Sequence, residues 1–183
     1  TLNSKPYHKG PGQPAGRPNN ITQVLKTNNL FELKKSWAHY AQCPTDYVTD
    51  VILKKRLDGI KVFPYQADII DAVARHDRVA LRAGNGIGKD TISAWLLEWF
   101  LATHRYSKVP CTSGVTRQLK EILFSVVQIY TKQSCMAGLF RIMDLSIRVK
   151  GAEKEWFALG FTGSEGEEGQ LEAKKEGFPS ETL

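Results

Sequence analysis

Residues 83–91 read AGNGIGKDT, three alternating glycines followed by a lysine. Gly84, Gly86 and Gly88 let backbone N–H groups turn inward and approach an anion closely. Lys89 adds a full positive charge where the β- and γ-phosphates of a nucleotide would lie. Ala83, Asn85 and Ile87 fill the remaining places, so the stretch fits A/G-x-x-x-x-G-K with Ala83 first. An apolar, helix-like run follows, and the N-terminus of such a helix adds partial positive charge behind the loop. The chemistry is a phosphate cradle. A plain glycine turn is the alternative, but the complete strand–loop–helix setting favours the cradle.

Such loops place Ser or Thr after the lysine; here Asp90 stands there. Two roles are open to it. A carboxylate ligates Mg2+ directly, and an acidic residue also stabilises a helix start. Thr91 offers a hydroxyl to the metal if the loop shifts by one residue. Nucleotide binding is therefore expected to depend on Mg2+. Upstream by about 20 residues lie Tyr65 and Gln66; a Gln amide can pair with both N6 and N7 of adenine. Downstream, Thr116, Arg117 and Gln118 open a helix just after a predicted strand, where ligands bind in α/β sheets. A DNA-phosphate or coupling role competes there with an ordinary polar first turn.

The elements that must position these groups are legible from periodicity. Leu30, Leu33, Trp37 and Tyr40 share one helical face, with Asn29 as N-cap. PTDYVTDVILKKRL is a second amphipathic helix with Tyr47, Val48, Val51 and Ile52 inward. PYQADIIDAVARH is a third, opening on Pro64, with Ile69, Ile70 and Val73 inward. RVALRA is expected as a buried parallel strand leading into the loop. The helix from Lys89 to about His104 is apolar nearly all round and should be covered by other layers. KVPCTSG reads as a second strand, and the helix after it turns Leu119, Ile122, Val126 and Ile129 inward. Residues 144–161 split into two alternating runs around Lys150–Lys154, a hairpin. The order predicts an α/β fold: a parallel sheet of the P-loop NTPase type, flanked by helices, with an N-terminal helical segment.

Four regions follow. Residues 1–20 hold four prolines and three glycines and read as a disordered basic arm. Residues 21–62 form a helical subdomain, 63–163 the loop-bearing core, and 164–183 an acidic Gly/Glu-rich tail. The net charge of +6 divides into −5 from Ala152 onward, eight Glu against three Lys, and +11 before it. A basic body favours contact with a polyanion. No run approaches the roughly 18 apolar residues a membrane span needs, and the first residues lack a signal-peptide core, so a cytosolic setting is expected. Cys43, Cys111 and Cys135 are odd in number and widely spaced, which argues for reduced thiols rather than a disulfide framework or a zinc site. His8, His39, His76 and His104 sit far apart in sequence and make no metal motif, so each is expected in a structural or surface role.

FPYQADIIDAV, RVALRAGNGIGKDTISAWLLEWFLATH and VPCTSGVTRQLKEILFSVV, in that order, resemble the N-terminal ATPase region of phage terminase large subunits. The later EWFALGFTGSEGE resembles the hairpin that precedes that family's acidic ATPase motif. The likeness covers residues 30–169. It implies ATP hydrolysis coupled to translocation of double-stranded DNA into a procapsid, with Mg2+ as cofactor. It also implies a ring homo-oligomer on a portal protein, a terminase small subunit as partner, a C-terminal nuclease domain, and action in the cytoplasm of a bacterial host. By that resemblance Gln66 would contact adenine, Gly84, Gly86, Gly88 and Lys89 would hold phosphates, and Thr91 or Asp90 would meet the metal. Arg82 would sense the γ-phosphate.

Two departures stand out. Asp90 replaces the hydroxyl residue, and no apolar strand ending in Asp-Glu follows. The nearest match, RIMDL, has Leu145 where the Glu belongs. The chain is therefore expected to be an incomplete, N-terminal piece of such a motor, without the nuclease domain. Two alternatives stay open: a non-catalytic nucleotide- or DNA-binding remnant, and another P-loop ATPase such as a helicase-like protein.

Overall fold

The computed structural model describes residues 36–162; the expected arm, the first part of the first helix and the acidic tail lie outside that range. Helix α1 spans Trp37–Gln42, capped by the Ser36 side chain. Cys43 ends it and opens α2, Pro44–Tyr47, which runs on as a π-helical turn over Val48–Ile52. Tyr47, Val48, Val51 and Ile52 are all buried, as the periodicity requires. This helix stops earlier than expected. Arg56 folds back onto Asp58 and lies over the Tyr130 ring, 4.7 Å from its centroid, so residues 53–57 leave the helical path.

Helix α3 spans Pro64–Arg75, with Pro64 at its first turn, Ile70 buried, and Ile69 and Val73 partly buried. Helix α4 spans Lys89–Thr103 and is the hub: it packs on α1, α2, α3, the later helices and the sheet. That position explains its all-round apolar surface. Ile92, Trp95, Trp99 and Leu101 are buried, and the Trp99 indole donates to Tyr40 O at 2.7 Å.

Strand β1, Lys108–Ser113, leads into a π-helical segment, Gln118–Phe124, continued by α5, Ser125–Gln133. A 3-10 turn at Ala137–Leu139 precedes β2, Phe140–Met143; β3 spans Ser146–Val149 and β4 Phe157–Thr162. The sheet order is β1-β4-β3-β2. Only β1 and β4 are parallel; β4–β3 and β3–β2 are antiparallel. The fold is α/β, but the sheet is mixed where a parallel one was expected. The hairpin between β3 and β4 stands as read, with β2 as an additional edge strand.

Two further expectations change. RVALRA has no regular secondary structure and joins no sheet among the described residues, and Val79 and Leu81 are each 43% exposed. A strand is made by its neighbours, and all four paired strands lie after α4. In the helix after β1, Leu119 is buried, but Ile122 and Ile129 are exposed. Val127 and Tyr130 are buried in place of Val126 and Ile129. The wider π turn shifts the inward face by one residue, which a 3.6-residue period does not foresee.

Candidate functional site

The glycine loop sits at the start of α4. Gly88 caps the helix in the left-handed region, φ 81, ψ 29, without a side-chain cap. The first helical bond runs from Ile92 N–H to Gly88 O at 3.0 Å. The amides of Lys89, Asp90 and Thr91 therefore precede the ladder and point ahead of the helix, where its dipole is positive. Gly86 is also left-handed, φ 80, so both glycines are set by the backbone.

Space around the loop separates its glycines. A Cβ on Gly84 or Gly86 would meet nothing within 4 Å, whereas one on Gly88 would stand 3.0 Å from the Gln66 side-chain nitrogen. Lys89 reaches back across the loop, its ammonium donating to Ala83 O at 3.2 Å. Its charge is thus held over the loop.

Helix α3 grips the same loop at two points. Gln66 is only 5% exposed, and its Oε1 accepts from Phe63 N–H at 3.1 Å, so the amide nitrogen faces Gly88. The Tyr65 hydroxyl donates to Ile87 O at 3.0 Å. Phe63 and Tyr65 stack with ring centroids 5.9 Å apart and 10° between planes, both exposed at the mouth of this contact. Gln66, singled out in the sequence for its place before the loop, touches it. Phe63 carried no signal beyond its aromatic character.

The remaining residues distribute as follows. Asp90 is exposed in the first turn of α4, and Thr91 is half-buried beside Gly88. Asn85 is exposed; Ala83 and Ile87 are half-buried. Arg82 is exposed on the segment that leads into the loop. Thr116, Arg117 and Gln118 lie past the end of β1 and are engaged there. Arg117 pairs with Glu121 at 2.6 Å, Gln118 accepts from the Ser113 hydroxyl at 2.5 Å, and Thr116 meets Thr162 at 3.5 Å. Asp144 forms the exposed turn between β2 and β3 and pairs with Lys120 at 2.7 Å.

One titratable group escaped the sequence. Glu98, in the apolar run of α4, is fully buried, and burial pushes its carboxyl up to about 7. Thr131, Ser134 and Tyr47 offset part of that effect, with the Tyr47 hydroxyl donating at 3.4 Å. A single Glu amid Trp and Leu was the available signal.

The arrangement offers a glycine-rich loop, helix amides and a lysine to an anion, with an aromatic pair beside it. Comparison with protein-family models, with curated proteins and with solved structures finds no match to this chain. No helix among the described residues is long and apolar enough to cross a membrane.

Proposed function

We propose that the glycine loop binds ATP with Mg2+ and that the chain is the nucleotide-binding part of a viral DNA-packaging motor. The observation that carries the nucleotide is the Lys89 ammonium held over a loop whose Gly84 and Gly86 leave open space for phosphates. Lys89 would exchange Ala83 O for phosphate oxygens, and the amides of Lys89, Asp90 and Thr91 would complete the cradle. Asp90 or Thr91 would hold Mg2+. Gln66 gives its carbonyl to Phe63 N–H, so pairing with both N6 and N7 of adenine would require that cap to open. When bound, ATP supplies the phosphoanhydride whose hydrolysis would drive translocation.

Double-stranded DNA as partner rests on the resemblance to terminases and on the +11 carried before Ala152. The portal protein, the small subunit and the ring of copies rest on the resemblance alone. A second reading, nucleotide binding with little hydrolysis, is favoured by one observation. None of the four strands ends in Asp-Glu, and Asp144 sits in a hairpin turn on Lys120.

Calorimetric titration with ATP, with and without Mg2+, tests the core of the proposal. Binding should require Mg2+ and weaken by about 10- to 100-fold in Lys89→Ala, since hydrogen bonds to charged groups contribute about 1.5–3 kcal/mol. Absence of binding to the folded chain defeats it. Turnover stimulated by duplex rather than single-stranded DNA supports packaging; the reverse supports unwinding.

A further inference from the structure

The corner between α1 and α2 brings three ligand types together. His39 lies in the last turn of α1, Cys43 joins the two helices, and Asp46 lies in the first turn of α2. One ligand atom from each falls within 4.8 Å of the other two, and all three residues are half-buried. His39 Nε2 and Asp46 Oδ2 are already 2.6 Å apart. The chain holds this geometry through its own backbone: Cys43 N–H donates to His39 O at 2.9 Å, and Asp46 N–H to Cys43 O at 3.1 Å.

We infer that His39, Cys43 and Asp46 form a binding site for a borderline-soft divalent transition metal, with Zn2+ as the best fit. At bond lengths of about 2.0–2.3 Å, tetrahedral ligands stand roughly 3.3–3.8 Å apart. The His39–Asp46 contact would open by about 1 Å, and no other separation, all being within 4.8 Å, would need to close by more than about 1.5 Å. The two outer side chains, 39% and 37% exposed, have room to turn that far. One thiolate and one carboxylate balance a divalent charge, and imidazole supplies a neutral donor. Thiolate and imidazole select Zn2+ over Mg2+, which takes oxygen ligands. Three protein ligands leave the fourth position to solvent. The spacing H-x3-C-x2-D contains no pair of like ligands, so neither the cysteines nor the histidines reveal it when read separately. The site is independent of the nucleotide proposal and has a role of its own. Helices of six and four residues are too short to hold alone, and a metal would staple them.

Titration of the full chain with Co2+, followed by its thiolate-to-metal charge-transfer band, tests the assignment, with Zn2+ as competitor. A band should appear, be lost in Cys43→Ser, persist in Cys111→Ser and Cys135→Ser, and be abolished by Zn2+. His39→Gln, which keeps the thiol, should reduce it strongly and serves should Cys43→Ser fail to fold. Absence of a band, or a full band in Cys43→Ser or His39→Gln, overturns the site.

Discussion

The side-chain nitrogen of Gln66 lies 3.0 Å from the point where a Cβ on Gly88 would stand. Helix α3 thus presses on the residue that both ends the glycine loop and caps α4. Together with the Tyr65–Ile87 bond, this contact makes the shape of the loop a property of two helices.

The three glycines should therefore respond differently to alanine. Gly88→Ala combines a left-handed backbone with a clash on Gln66 and should cost about 2 kcal/mol or more of stability. Gly86→Ala carries only the backbone term, about 1–2 kcal/mol. Gly84→Ala meets neither and should leave stability within about 0.5 kcal/mol. Its ATP affinity should nevertheless fall, because the methyl would enter the space assigned to phosphate. Denaturant titrations paired with ATP calorimetry measure both. Unchanged affinity in Gly84→Ala would place the ligand face elsewhere.

Glu98 makes stability depend on pH. Its folded value of about 7 stands above the ordinary 4.5, so the folded state favours the proton. The resulting penalty is absent below about pH 4.5, grows between about 4.5 and 7, and is complete above 7. The gap corresponds to about 3 kcal/mol. Glu98→Gln should stabilise the chain by up to that amount at about pH 8 and make little difference near pH 4.5. Urea titrations at the two pH values measure it; equal effects at both would remove the carboxyl as the cause.

Gly160 lies in β4 where a Cβ would approach Phe124 Cε2 to 2.7 Å. Gly160→Ala should cost about 1–3 kcal/mol through overpacking. Phe124→Leu, itself destabilising, should recover part of that loss in the double variant. Thermal unfolding of the cycle reports the coupling, and additive effects would show that the two positions do not share that space.

Legibility followed the range of the interactions involved. Helix α3 ends within one residue of its expected position because Pro64 and the apolar spacing act locally. The buried face of α2 was equally local. What failed depends on partners: RVALRA has the residues of a buried strand but no neighbour among the described ones, and β2 exists because β3 pairs with it. The π turn at Gln118–Phe124 moved the helical face beyond Leu119 by one residue without changing any residue's polarity. At the candidate site, the glycines, Lys89 and Gln66 were visible as types at a spacing. The Gln66 cap on Phe63 and the return of Lys89 to Ala83 required coordinates.

The exposed segment between α3 and α4 has one more consequence. Arg78 and Arg82 bracket Val79–Leu81, an exposed stretch outside any helix or sheet among the described residues, where a protease can reach the backbone. Among the described residues 36–162, brief trypsin treatment should nick the native chain there before any other site. The nick would part Tyr65 and Gln66 from the loop in covalent terms. The two fragments should stay associated, because the contacts of α4 with α1, α2 and α3 hold them together. The native chain would then behave as a two-piece assembly in which the grip on the glycine loop is exerted across a cut.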